Sequence, residues 1–299
     1  MSKNVLVELS DALADAAEKT GKATVLVNAR RRKPASGIVY AADLILTADH
    51  VIEREEDITV ILADGTEIPA QVAGRDAGSD LAVLKLERAA RTVAEPTKRP
   101  ARPGQIALAL GRPSPDGIEA SLGTVSAIGG PMRTGRGGML ERYIRSDGIS
   151  YPGFSGGPLV AADGTVLGLN TSGLGRGAAI TIPADIAWKI AETLARHGRI
   201  RRGYLGVRSQ TVEIPNASQK ALKREQASGL LVVSVENESP ASKGGLIVGD
   251  ILVAVAHAPI LHHDELFARL SGDVAGKSTP IEILRGGQPQ SLNVLIGER

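Results

Sequence analysis

The sequence predicts a mostly β protein: two all-β barrels in tandem, followed by a small α+β unit. Three observations carry this. Short β-branched runs recur from residue 24 to about 170, separated by glycine, proline and aspartate turns. The tetrapeptide Ala-Asp-Gly-Thr occurs twice, at 63–66 and 162–165, each time between apolar runs, and Asp-Gly in that setting is a strong hairpin signal. A helical passage after Pro183 and a basic stretch then separate this region from a last strand-rich segment starting near Gly203.

Element by element, residues 5–19 place Leu6, Leu13 and Ala16 among acidic residues at helical spacing, with Gly21 as the stop. Runs at 24–27, 37–40, 44–47, 58–62, 68–72 and 81–86 supply the strands of a first barrel. A proline- and charge-rich passage, 95–104, reads as the connector to a second barrel. Its strands fall at 106–110, 123–128, 143–145, 158–160 and 166–170. Pro183 opens a helix carrying Ile186, Trp188, Ile190 and Leu194, and Gly198 ends it. The expected division is 1–198 for the double barrel with its N-terminal helix, and 199–299 for the α+β unit with the basic linker at its start. The glycine-rich run 129–138 has no phosphate-loop lysine and is expected to be a mobile loop.

Composition narrows the chemistry. The chain of 299 residues has no cysteine, which removes disulfides, thiolate metal sites and a thiol nucleophile. One Trp, four Tyr and two Phe leave the cores to Leu, Ile, Val and Ala. Thirty-five basic against 33 acidic residues is too even to call for a polyanionic partner, and no nucleic-acid partner is expected. The basic runs 30–33 and 196–202 lack interleaved aromatics for base stacking and read as solvated loop and linker. No stretch reaches the roughly 18 apolar residues a membrane-crossing helix needs, so no membrane insertion is expected. The N-terminus lacks an export-type apolar segment. The expected compartment is cytoplasmic if this N-terminus is native, and extracytoplasmic (periplasmic) if a signal or anchor has been removed.

Three motifs carry the candidate chemistry. Pro152-Gly153-Phe154-Ser155-Gly156-Gly157-Pro158 places a serine in a turn flexible enough to aim backbone amides at one point. A serine hydroxyl is a weak nucleophile and needs a neighbouring base and oxyanion donors. Thr47-Ala48-Asp49-His50 puts a histidine at the end of an apolar run, and Ser79-Asp80-Leu81 an aspartate at the start of another. The order His, Asp, Ser is that of the chymotrypsin arrangement, with His50 and Asp80 on the first barrel and Ser155 on the second. His262-His263-Asp264 is read as a solvated helix start capped by Asp264, and no metal or other cofactor is expected.

With these motifs in place the sequence resembles the HtrA/Deg family of trypsin-like serine proteases, over nearly its whole length. The matching stretches are 46–52, 58–85, 123–129, 153–159 and 165–171; 203–207 and 239–250 resemble that family's PDZ domain. The resemblance implies a chymotrypsin-like double barrel and an ATP-independent serine endopeptidase acting on unfolded or exposed polypeptides. In it His50 is the general base, Asp80 orients the imidazole and Ser155 attacks the carbonyl. The amides of Gly153, Phe154 and Ser155 would hold the oxyanion, in whichever pairing the loop adopts. Where the family commonly has Asn-Pro-Gly-Asn, this chain has Tyr151-Pro152-Gly153-Phe154, so two rings are expected to flank the hole. Ile149, six residues before the serine, would floor an apolar S1 pocket walled by Ala179, Ile180 and Thr181; Asp147 is expected to support that loop. Tyr204-Leu205-Gly206-Val207 would bind peptide C-termini by their carboxylate. The resemblance also implies a homotrimer, although its relatives associate through N-terminal aromatics and this chain has none before Tyr40. A second reading from another class is a proteolytically silent peptide-binding chaperone or scaffold on the same fold.

Overall fold

The computed structural model describes residues 4–175, 180–270 and 274–298. Backbone contacts divide the chain into two compact units, Met1–Ile200 and Arg201–Arg299.

The first unit opens with helix α1 (Val5–Gly21), whose Asn4 side chain accepts the Leu6 amide at 3.1 Å, as an N-cap should. Leu13, Ala16 and Ala17 of this helix pack on Leu108, Leu110 and Val160. Strands β1 (Thr24–Asn28), β2 (Ala35–Ala41), β3 (Leu44–Ala48), β4 (Ile58–Ile61), β5 (Glu67–Asp76) and β6 (Leu81–Leu86) close into a barrel in the order β1-β2-β3-β6-β5-β4. Next come β7 (Ile106–Ser114), β8 (Gly117–Gly129), the short β9 (Met132–Arg133) and β10 (Met139–Leu140), and β11 (Tyr143–Ser146). Strands β12 (Pro158–Ala161), β13 (Val166–Thr171) and β14 (Ile180–Pro183) complete the set, and β7, β8 and β11 to β14 form the second barrel. Counted from its own first strand, the second barrel has the same strand order as the first.

The repeated tetrapeptide marks that symmetry. Asp64-Gly65 joins β4 to β5 and Asp163-Gly164 joins β12 to β13, the fourth-to-fifth strand connection of each barrel. Both glycines lie at positive φ, +79° and +78°, where a side chain would be strained. Each aspartate accepts the threonine amide two residues on at 2.9 Å.

Aliphatic side chains fill the first barrel, among them Val25, Ile38, Leu46, Ile58, Ile68 and Leu84. Helix α2 (Ala184–His197) lays Ala187, Ala191 and Leu194 on the same cluster and ends at Gly198, whose φ of +74° makes a left-handed cap. The second core is smaller and centres on Phe154, with Val125, Ile144, Leu159 and Leu167 around it. The run 129–138, expected to be a loop, contains β9, which pairs with β10. It is tied to the first barrel by the Thr134 hydroxyl donating to Gly78 O at 2.7 Å, a long-range bond with no local signature.

The second unit contains β15 (Gly203–Tyr204), β16 (Val207–Glu213), α3 (Asn216–Leu222), β17 (Ser228–Val235), α4 (Pro240–Lys243), β18 (Ile251–Val255) and β19 (Ala258–Pro259). Helix α5 (His263–Leu270), β20 (Ser278–Arg285), β21 (Gln288–Leu295) and β22 (Gly297–Glu298) follow. Its main sheet runs β16-β17-β18-β20-β21, leaving β16 at an edge, and its core includes Leu205, Leu230, Leu252, Leu266 and Ile283. Helix α5 starts at His263, and Glu265 rather than Asp264 reaches back to accept the amides of His262, at 3.0 Å, and Leu261.

Candidate active site

Strand register brings the first two residues together. Ala48 at the end of β3 faces Leu81 at the start of β6, so the residues just beyond them become neighbours. A single 3₁₀ turn, Asp49–Val51, carries His50, and the Asp49 amide donates to Asp80 O at 3.0 Å. Asp80 itself sits at φ +56°, a left-handed geometry that aspartate tolerates better than most residues. Its buried carboxylate receives the His50 amide at 2.9 Å and the His50 Nδ1 at 2.8 Å, and the Thr171 hydroxyl completes the set. A carboxylate only accepts, so Nδ1 carries the proton and the Nε2 lone pair is left to act as a base. Asp49 anchors the turn from below: Arg75 Nε donates to its Oδ1 at 2.6 Å, and Arg136 approaches its Oδ2 at 3.2 Å.

Ser155 lies in the loop before β12 and lines the same cleft as His50, a space of about 650 Å³. The described partners of its hydroxyl are both in Ser172: the Ser172 hydroxyl at 3.1 Å and the Ser172 amide at 3.3 Å. Gly173 adds to this cover, since a Cβ there would stand 2.6 Å from His50 Nδ1 and 2.5 Å from Asp80 Oδ2. The segment 171–173 thus lies against all three residues.

The loop around Ser155 is pinned by the first barrel. The buried Ser36 hydroxyl of β2 donates to Gly153 O at 2.7 Å and accepts the Arg112 amide at 2.8 Å, while the Ser36 amide donates to Ser155 O at 3.1 Å. Gly156 has φ +88°, and a Cβ there would lie 2.0 Å from Ser36 O, so only glycine fits. The Phe154 amide is committed to Tyr151 O at 3.0 Å, which takes it out of the expected oxyanion set. The amides of Gly153 and Ser155 donate to no protein acceptor among the described residues. The Phe154 ring is fully buried in the second core, so one ring and not two stands at the site. Tyr151 is that ring, 42% exposed and edge-on to Phe154 at 5.4 Å.

The remaining expected positions are placed as follows. Ile149 is 59% exposed and is not among the residues lining the cleft shared by His50 and Ser155, where Ser150 and Tyr151 stand. Ile180 and Thr181 are buried in β14, and the Thr181 hydroxyl donates to Asn170 Oδ1 at 2.6 Å. Ala179 falls outside the described residues. Asp147 accepts the Thr124 amide and, at 3.1 Å, the Thr124 hydroxyl; these bonds hold its carboxyl below the ordinary value of 3.8. Sequence reasoning missed Ser36, Ser172, Asp49 and Arg75, and lone serines or a long-range ion pair carry no motif that would reveal them.

In the second unit, Gly206 lies at φ +80° and its Cβ would meet Ser239 Cβ at 2.3 Å. The carbonyls of Leu205 and Gly206 accept the amides of Ala241 (2.8 Å) and Glu236 (2.9 Å). Their own amides donate to no protein acceptor among the described residues, the disposition an anion-binding loop needs. The Tyr204 hydroxyl donates to Glu236. Beside this loop runs the free edge of β16, against which the His263 ring meets Ser209 O at 3.0 Å.

A double antiparallel barrel with this cleft, followed by a sheet with such a loop, defines the class: a chymotrypsin-like peptidase domain joined to a PDZ domain. Family models agree, matching a trypsin-like peptidase domain at residues 35–169 and a PDZ domain at 203–296. The chain is 34% identical over 269 residues, 88% of its length, to a probable periplasmic serine endoprotease DegP-like of Pseudomonas fluorescens, and 33% identical over 276 residues, 90% of its length, to one of Rhizobium meliloti. It spans about half of these relatives, 56% and 54% of their lengths. Among solved structures, the HtrA-type protease AlgW with a decapeptide matches at a TM-score of 0.80 with 26% identity, covering 96% of this chain and 98% of that one. The serine endoprotease from Yersinia pestis matches at 0.80 with 29% identity and the same coverage. The chain belongs to the HtrA/Deg family of trypsin-like serine proteases with a PDZ domain.

Proposed function

We propose that this chain is an ATP-independent serine endopeptidase that cleaves unfolded or exposed polypeptides, with His50, Asp80 and Ser155 as its catalytic residues. The His50 Nδ1–Asp80 bond carries this reading, because it leaves Nε2 of an oriented imidazole facing the cleft that Ser155 lines. In the reaction Nε2 takes the Ser155 proton as Oγ attacks the peptide carbonyl. The oxyanion is held by the amides of Gly153 and Ser155, and His50 returns the proton to the leaving amine. Water then repeats the sequence to release the acyl group. The described Ser155 hydroxyl lies against Ser172, and on this reading it donates to His50 Nε2 before attack.

Casein hydrolysis and fluorophosphonate labelling test the reading. Ser155→Ala should remove labelling and lower turnover by about 10⁴–10⁶. A wild-type chain that labels no better than Ser155→Ala but still binds peptide would favour the second reading, a silent chaperone or scaffold, for which the Ser155–Ser172 contact is the one observation.

The PDZ unit is proposed to bind peptide C-termini on the Leu205 and Gly206 amides, with the peptide adding to the β16 edge. A periplasmic or other extracytoplasmic setting is proposed, supported by the names of the relatives. Homotrimer formation is proposed through the first turns of α1, where Val5, Leu6 and Val7 are 73%, 76% and 52% exposed. Light scattering of the wild type beside Leu6→Glu tests this; a monomer in both removes it.

A further inference from the structure

We infer that the loop carrying Arg30, Arg31, Arg32 and Lys33 selects substrates with acidic side chains flanking the scissile bond. The inference rests on the reading of Ser155 as the nucleophile and names the substrate class of that site. These four consecutive cations line the same cleft as His50 and Ser155. They are held there: Pro34, the next residue, has its carbonyl 3.2 Å from where a Cβ on Gly153 would stand, and β2 begins at the buried Ala35. A run that reads from sequence as mere solvated loop is thus a wall of the catalytic cleft.

The charge is only partly compensated. Glu53 is the one carboxylate lining this cleft among the described residues, and it is already used by Arg30 Nε at 3.2 Å and by the Arg31 amide at 3.3 Å. Arg31, Arg32 and Lys33 are exposed and form no ion pair among the described residues. A net excess of cations lining a cleft focuses potential into it and raises the local concentration of an anionic ligand. At physiological ionic strength the screening length is about 8 Å, comparable to the reach of an arginine side chain, so the effect is confined to the few residues beside the reacting bond. An extended peptide advances about 3.3 Å per residue, which brings two or three positions within range.

The test uses C-terminally amidated peptides, so that capture of a free carboxylate by the PDZ unit does not contribute. Peptides share one cleavable core and carry Asp/Glu, Ser/Gln or Lys/Arg at the two positions on either side. The acidic set should show kcat/KM about tenfold or more above the neutral set at low salt, and the basic set should fall below it. The advantage should shrink as salt rises. In Arg31→Gln/Arg32→Gln/Lys33→Gln the acidic-to-neutral ratio should approach one, and Arg32→Glu should lower it further. A second arm is independent of cleavage: fluorescent acidic and neutral peptides titrated onto Ser155→Ala, with and without the triple substitution. An acidic-to-neutral ratio near one in both arms, or one that the triple substitution leaves unchanged, overturns the inference. Displacement of the acidic peptide by an oligonucleotide at lower concentration than by the peptide itself also overturns it, since the loop would then serve a nucleic acid. If no peptide is cleaved but acidic ones bind through the loop, it is the nucleophile reading that falls.

Discussion

At the residue scale the Ser155 hydroxyl is held by Ser172, and the proposed mechanism requires it to donate to the His50 imidazole instead. A hydrogen bond of this kind is worth about 0.5–1.5 kcal/mol net, which is roughly a two- to twelvefold bias in where the hydroxyl points. Ser172→Ala removes the side-chain partner and should raise the second-order rate of fluorophosphonate labelling by about that factor. A rate that stays level or falls would show that Ser172 does not restrain the nucleophile. Phe154 makes a second prediction. It is the largest side chain of the second core, so Phe154→Ala should cost about 3–5 kcal/mol, whereas Tyr151→Ala, which removes a half-exposed ring, should cost far less. Thermal melts of the two variants compare them directly. Equal losses would mean that the ring at 154 is not the centre of that core. The sequence order His50, Asp80, Ser155 was readable because each lies in a motif with its own local cue. The fate of Phe154 was not, because nothing in Gly-Phe-Ser says whether the ring turns to the cleft or to the barrel. Gly111 decides it: a Cβ there would lie 2.4 Å from the Phe154 ring, so its bare backbone makes the room.

At the element scale, the twin hairpins show why the barrels were legible. Asp-Gly fixes a turn by local chemistry alone, and strands alternating on both sides of it give the pairing. Strand closure into barrels, the β9–β10 ribbon and the Ser36 bridge depend on partners tens of residues away, and no window of sequence reports those. The hairpins also carry a pH prediction. Asp64 and Asp163 are both held below their ordinary value of 3.8, first by the hydroxyl of Thr66 or Thr165 and then by the same residue's amide. A folded-state value below the unfolded one means that the turns stabilise the fold above about pH 4. That contribution is lost as the pH falls through the folded value. Carboxyl-carbon NMR titration should place both midpoints below 3.8, and Thr165→Val should raise that of Asp163 alone. A midpoint at or above 3.8 in the wild type would remove the claim that these turns are carboxylate-locked.

At the scale of the whole molecule, the cores partition with the chain. The clusters built on the barrels draw on residues up to Ile200, which packs against the first-barrel core, and those of the PDZ unit draw on residues from Leu205 to Ile296. The absence of cysteine means that neither unit is held by a disulfide, so each must be stable through its own aliphatic packing. The PDZ unit of 99 residues, 201 to 299, is long enough for that. Calorimetry should therefore resolve two transitions, and at about 0.7 kcal/mol per residue their enthalpies should be roughly 140 and 70 kcal/mol. Residues 201–299 expressed alone should give a dispersed amide spectrum, and its melting should coincide with the smaller transition of the full chain. A single transition carrying the summed enthalpy, or a disordered isolated unit, would show that the two cores depend on one another. In that event a peptide bound at the Leu205–Gly206 loop would shift the stability of the barrels as well. With independent cores, such a peptide shifts the smaller transition alone, by an amount set by its concentration relative to its dissociation constant.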